Sequence, residues 1–369
     1  MRDRKIKISW LIAHILVCHF ASAQDNPLSI PLANLKTPNS PCFQLLDISP
    51  SSVEHPGNPK EFAVSALSQL NNGNGIPKNF AYEIAPYWFF KPQSENVYKY
   101  INVDASHSAA HYYTGILRKL AISIASTFSD STSGSLLNNT NYISFGIRTN
   151  LITIRKNSNI DNIIQDIHNL HGIQGSCTVV GQTATELAQC ERSHPNYKTD
   201  SAALQNDMNE TPLFQLDAAA AYSEAYAANS FNNSRFNRSA EWITATFGES
   251  FWRNHRDKFY LMGMFKLLQD KILTDTAKSV FENKSAIDLG GKLSYSNGNF
   301  LIGVEFVQRT YAGDKAISSN RCVGIIQYKM NDNLYLTTSF GQNFGSTHNL
   351  FTLVGLNFGF GNKGLSLPD

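Results

Sequence analysis

The sequence predicts an all-β protein: an antiparallel transmembrane β-barrel of about twelve strands, within about ten to fourteen, carrying a short helical insert. Three observations predict it. From about residue 60 to the C-terminus, segments of about ten residues alternate apolar and polar side chains. No stretch beyond the N-terminal leader is long and apolar enough for a transmembrane helix. A chain that spans lipid without helices must close its strands, because an open sheet there leaves backbone N–H and C=O groups unpaired.

Composition agrees. Charged residues make up only 16% of the chain, Phe and Tyr number 23 and 15, and mean hydropathy is a moderate −0.25. That combination suits alternating faces, one toward lipid. A net charge of +2 offers no field to attract nucleic acid, so none is expected as a partner.

The leader comes first. Arg2, Arg4, Lys5 and Lys7 precede an apolar run from Ile8 to Phe20, and Ala21-Ser22-Ala23 is a cleavage signature. Residues 1–23 therefore read as a cleaved signal peptide that exports the chain across the inner membrane, and the strand pattern then places it in the outer membrane of a Gram-negative cell. Residues 24–58, rich in Pro, Asn and Ser, read as an extended periplasmic lead-in or a plug. Residues 59–369 form the barrel.

Strands follow in order. A weak one falls at 60–70 and others near 79–90 and 116–128. In 141–151, Ile143, Phe145, Ile147 and Leu151 point outward, while Tyr142, Ser144, Gly146, Arg148 and Asn150 point inward. Further strands fall near 213–226, 239–249 and 257–268. In 285–296, Ile287, Leu289 and Leu293 oppose Asp288, Lys292 and Ser294. In 299–309, Phe300, Ile302, Val304 and Phe306 oppose Gly303, Glu305 and Arg309. A strand holding Arg321 and Cys322 precedes the last two, at 333–343 and 350–360. Asn297-Gly298-Asn299 and Asn331-Asp332-Asn333 are hairpin turns. Tyr82, Trp88, Tyr142, Tyr222, Tyr295, Tyr311, Tyr328 and Tyr335 stand near strand ends, as interfacial aromatic girdles do.

Two stretches break the pattern, at 92–111 and 156–212. Within the second, Ile160, Ile163, Ile164, Ile167 and Leu170 recur at helical spacing, predicting one short amphipathic helix. Cys177 and Cys190 in the same insert are the expected disulfide, which export permits. Cys322 is expected to be a free, packed thiol. With both termini periplasmic, twelve strands place the 156–212 insert on the periplasmic side. Long loops usually face outward, so either the insert is unusual or a strand is miscounted.

Charged residues opposite the apolar stripes are the lumen-facing candidates: Glu83, Lys119, Arg148, Asp217, Asp288, Lys292, Glu305 and Arg309. They either line an open polar path or pair across the lumen. Opposite charges at Asp288 with Lys292, and at Glu305 with Arg309, favour pairing. A secreted β-sandwich shows the same split of faces, and the aromatic girdles favour the membrane barrel over it.

Catalytic and metal-binding sets are not expected, and neither is a cofactor. The Ser-bearing block NNSRFNRSAEW lacks a nearby His to activate a hydroxyl. His168 and His171, even joined by His194, lack an acidic partner, and His107 with His111 fare no better.

The blocks SPCFQLLDISPSSVEHPGNPKEFAVSALSQL from Ser40, IPKNFAYEIAPYWFF, LAISIAST, ISFGIRTNL and AEWITATF carry a resemblance. The chain resembles a group of uncharacterised exported proteins of Bacteroidetes and similar bacteria that are taken to be outer-membrane β-barrels. The resemblance runs from about residue 40 to the end, and the SP-x-F-x-LL…P and E-x-APYW blocks are its specific part. It implies fold and location and no activity.

Expected partners are outer-membrane lipid and an envelope protein at the 156–212 insert. The expected function is a conduit or structural component of the envelope. The alternative is an assembly or binding component that docks through the insert, with a membrane enzyme the least supported class.

Overall fold

The computed structural model describes residues 29–31, 40–49, 51–53, 61–66, 79–88, 97–101, 116–129, 137, 139–179, 183–208, 210–227, 234–251, 257–275, 280–331, 334–345, 350–360 and 364–366. The leader, His107, His111 and most of the Asn331–Asn333 turn lie outside these residues, as does the side chain of Trp88.

The architecture is antiparallel β-sheet. A small two-stranded sheet joins β1 (Ser29–Pro31) to β14 (Gly364–Ser366). Twelve further strands run in sequence: β2 (Glu61–Ala66), β3 (Asn79–Ile84), β4 (Ala121–Ser129), β5 (Thr140–Ile154), β6 (Phe214–Ala227), β7 (Ser234–Phe251), β8 (Asp257–Asp275), β9 (Val280–Asn297), β10 (Phe300–Tyr311), β11 (Asp314–Asn331), β12 (Leu334–Gln342) and β13 (Leu350–Phe360). Each pairs with the next, and β13 pairs with β2 through Gly355↔Ala66 to Phe360↔Glu61. Every one of the twelve therefore has a hydrogen-bonded neighbour on both sides, which leaves no template for further strand addition.

Alternation of burial along the strands follows the residue pattern. In β10, Leu301, Glu305, Val307 and Arg309 are buried, while Phe300, Ile302, Val304 and Phe306 are exposed. The same split holds in β9, with Asp288, Lys292 and Ser294 buried and Ile287, Leu289 and Leu293 exposed. Tight turns set the register: Gly298 takes φ +53° between β9 and β10, a conformation that favours glycine.

Because the strands are antiparallel and sequential, connections alternate between two ends. The described parts of the 85–120 stretch and of the 155–213 insert, the Gly298 turn and the terminal ends of β2 and β13 share one end. The two breaks in the alternation meet there. The insert holds three helices rather than the single short one expected: α4 (Asn157–Cys177), α5 (Ala184–Ser193) and α6 (Tyr197–Met208). They follow α1 (Pro41–Leu45), α2 (Val97–Ile101) and α3 (Ile116–Lys119). On α4, Ile160, Ile163, Ile167, Leu170 and Ile173 form the apolar stripe, which packs with Leu204 and Met208 of α6 and with Val97, Tyr98 and Tyr100 of α2. A capping box starts α5, in which Glu186 N donates to Thr183 Oγ1 at 3.3 Å and Thr183 N donates to Glu186 Oε2 at 2.8 Å. Cys177 and Cys190 are bonded, fastening the end of α4 to α5.

Several expectations need correction. Lys119 is not on a strand. Residues 116–119 form the short helix α3 ahead of β4, and the Lys119 Nζ sits 3.4 Å from the centroid of the Tyr100 ring. Cys322 is free but exposed, because it falls on the outward parity of β11. Tyr142, Tyr311 and Tyr335 are buried on the inner face rather than placed in a girdle, whereas Tyr222 and Tyr328 are exposed at 42% and 46%.

The helical end carries a pH dependence. The Asp166 carboxyl on α4 is pushed up to about 7 from 3.8, by burial first and then by Asp207 and Asp200 of α6. Between those values the folded helices hold a proton that the unfolded chain releases, so stability falls as pH rises through about 7. Amide protection factors in α4 and α6, with the intrinsic pH dependence of exchange divided out, are therefore expected to be higher at mildly acidic than at alkaline pH. Asp166→Asn is expected to flatten the difference.

Candidate functional site: an ionic interior closed by residues 40–53

The inner face of the sheet is polar and charged. Arg148, Arg238, Lys266, Lys292, Arg309 and Arg321 are buried there with Glu83, Asp270, Asp288 and Glu305. Burying a charge is costly unless it is paired and hydrogen-bonded, and each described group meets partners. Arg148 donates to Glu83 Oε1 from Nη2 at 2.6 Å and from Nε at 3.0 Å. Arg238 on β7 forks onto Asp270 of β8, with Nε to Oδ1 at 3.0 Å and Nη2 to Oδ2 at 2.6 Å. Arg309 on β10 forks onto Asp288 of β9, with both contacts at 2.8 Å. Arg321 Nε donates to Glu305 Oε1 at 3.1 Å.

Residues 40–53 lie against this face. Residues 40–49 are buried except Ile48, which is half-buried, and 51–53 are buried too. Pro41 starts α1, where its missing N–H costs nothing. Helix α1 ends at Leu45 with Leu46 as its cap, and Asp47 takes φ +58°, a left-handed conformation that Asp tolerates better than most residues. That turn presents the Asp47 carboxylate to two guanidiniums. Arg238 Nη1 donates to Oδ2 at 2.6 Å, Arg309 Nη1 to Oδ2 at 2.8 Å, and Arg309 Nη2 to Oδ1 at 3.0 Å.

The rest of the segment is fastened along its backbone. Arg238 Nη1 donates to Leu45 O at 2.8 Å, Lys266 Nζ to Gln44 O at 3.4 Å, and Arg321 Nη2 to Ser49 O at 3.0 Å. Glu305 accepts from Ser51 Oγ at 2.6 Å and from the amides of Ser52 at 3.0 Å and Val53 at 2.9 Å. Lys292 Nζ donates to Ser51 Oγ at 2.9 Å. Of residues 24–58, read as a lead-in or a plug, 40–49 and 51–53 fill the interior, while Ser29–Pro31 pairs with β14.

Close approach of α1 to the wall depends on Gly146. A Cβ added at Gly146 would lie 2.8 Å from Ser123 Oγ, 2.9 Å from Pro41 Cβ and 3.3 Å from Cys42 Sγ. Cys42 itself is fully buried, its Sγ 3.1 Å from Ser123 Oγ. Gly146→Val is therefore expected to push α1 off the wall. In a Cys322→Ser background, labelling of Cys42 by a thiol reagent in the folded protein should rise from almost none to near completion. Continued protection would show that the wall yields instead.

Of the expected interior residues, Glu83, Arg148, Asp288, Lys292, Glu305 and Arg309 are buried on the inner face. Asp217 is half-buried near the helical end and accepts from Asn150 Nδ2 at 2.9 Å. The expected partners change. Arg309 binds Asp288, its direct cross-strand neighbour, and Glu305 binds Arg321 while standing opposite Lys292. Residues four apart on one strand are about 13 Å apart, whereas cross-strand partners are about 5 Å apart. Asp47, Arg238, Lys266, Asp270 and Arg321 were not expected. On β8, inward parity counted from Tyr260 reaches Lys266 and Asp270.

His168 is exposed, and His171 and His194 are half-buried on the helical end. No group of three or more metal-ligating side chains occurs among the described residues. No protein-family model matches the chain, and no curated protein is similar to it at a significant level.

Proposed function

We propose that this chain is a twelve-strand β-barrel of a bacterial outer membrane, a conduit held closed at rest by its own residues 40–53. One observation carries the reading: the sheet is inside out for a protein in water. Its outer face exposes Val304 at 60%, Leu261 at 59%, Leu289 and Leu293 at 57% and Phe145 at 54%. Its inner face buries arginines and carboxylates. A sheet packed in water puts its apolar side inward, and an exposed apolar surface this wide marks a lipid contact.

Dimensions agree. The twelve residues of β10 extend about 40 Å, which at a tilt near 45° rises about 28 Å, close to the hydrocarbon thickness. The interior suits a conduit more than a dry core. Buried hydroxyls of Thr244, Thr246, Ser294 and Ser339 take no protein partner among the described residues, which suits an inner face that meets water.

The helices at the terminal end cover the periplasmic mouth in this reading. Closing the loop between Cys177 and Cys190 contributes about 3 kcal/mol in the chain-entropy model. Cys177→Ser with Cys190→Ser is expected to speed proteolysis of 156–212 while leaving the strands resistant.

Conductance in planar bilayers tests the function. The intact chain should give few, small openings, and a variant lacking 40–53 should give long-lived, larger steps. Silence from both, in protein shown to be folded, would refute the conduit.

A further inference from the structure

The charge balance of the interior points to what the conduit admits. Among the described residues, the wall buries six cations, at positions 148, 238, 266, 292, 309 and 321, against four carboxylates, at 83, 270, 288 and 305. Asp47, supplied by the inner segment, is a fifth carboxylate. It sits where three wall cations meet two wall carboxylates: Arg238 and Arg309 contact it, and Lys266 lies beside it, 3.8 Å from Asp288, while the other unmatched cation belongs to the pair Lys292 and Arg321 around Glu305.

The two arginines do not depend on Asp47 for their positions. Each is forked onto a carboxylate of a neighbouring strand, Arg238 onto Asp270 and Arg309 onto Asp288. Tyr311 Oη donates to Asp270 Oδ2 at 2.8 Å, and the Arg309 guanidinium lies 3.9 Å from the centroid of the Phe344 ring. The outer edges of both guanidiniums therefore converge on one point of the interior. A planar anion with two oxygens satisfies that arrangement better than a point charge.

We propose that Arg238 and Arg309 form a carboxylate-binding site on the conduit wall, which Asp47 occupies as an internal ligand until a carboxylate-bearing solute replaces it. The inference rests on the conduit reading for its role. With residues 40–53 withdrawn, the wall keeps an excess of positive charge beside this pair, so the open path favours anions and carboxylate solutes dwell there.

Two measurements test it, and they fail separately. Asp47→Gly removes the carboxylate and keeps the left-handed backbone accessible. Its melting temperature should drop, and acetate should restore much of the loss, whereas chloride at equal ionic strength should not. In Asp47→Gly with Arg309→Lys, which keeps the charge and loses the fork, the acetate effect should disappear. Equal effects of acetate and chloride would overturn the site, and so would an acetate effect that survives Arg309→Lys. If Asp47→Gly does not fold in chloride, refolding in acetate replaces the melting readout, and failure to recover there also overturns it.

Current through the variant lacking 40–53 gives the second measurement. In a potassium chloride gradient the reversal potential should lie toward that of chloride, and acetate should reduce chloride current. Cation preference, or no preference, would overturn the anion path. Absence of current would refute the conduit, while the acetate rescue would still decide the site.

Discussion

Arginine at Val304 is expected to stop the chain from folding into a bilayer. Val304 is 60% exposed on the outer face of β10, between Ile302 and Phe306 on the same face. In lipid, an arginine near the bilayer midplane of a barrel costs about 2–4 kcal/mol. In water, the same substitution on an exposed strand position would cost almost nothing. Leu293→Arg, on the neighbouring β9 and directly opposite Val304, should behave alike. The measurement is urea titration in lipid vesicles, read by the heat-dependent gel shift of folded barrels. Little change in either variant would mean that this face meets water.

Removing the Arg309 side chain should have the larger effect. Arg309 is 2% exposed and forks onto Asp288 while contacting Asp47 with two nitrogens. Arg309→Met leaves two buried carboxylates short of their main counter-charge. Breaking a buried pair from one side costs about 3–5 kcal/mol. Arg309→Met with Asp288→Asn should recover part of that, since the second change removes one stranded charge. Urea midpoints of the three proteins give the comparison. A double variant less stable than Arg309→Met would show that Asp288 serves more than Arg309.

What the sequence reveals of this fold depends on which periods are local. Alternation in 141–151, 285–296, 299–309 and 333–343 is a property of neighbouring residues, and burial in β5, β9, β10 and β12 follows it. The stripe of isoleucines on α4 is equally readable. Helix α6 buries only Leu204 and Met208, too few to mark a stripe, and it is legible only against α4. Arg238 is hidden for a different reason. A register shift between Ser223 and Glu224 puts Asn237 and Arg238 both inside, which breaks the alternation where it would have pointed to the arginine.

Ion-pair partners were less legible than the charges themselves. Parity tells which face Arg309 and Asp288 share, and the register between β9 and β10 decides that they touch. Asp47 is the extreme case. It lies in a stretch without period, and its partners Arg238 and Arg309 are 191 and 262 residues away. Nothing local to Asp47 marks it, apart from the tolerance of Asp for the left-handed turn that aims it.

The most direct test of the central claim is where the mature protein is found and how it is held. A barrel built this way should fractionate with outer membranes, resist extraction by carbonate and by urea, and migrate faster on gels before boiling than after. Recovery as a soluble periplasmic protein, with no heat-dependent shift, would contradict it.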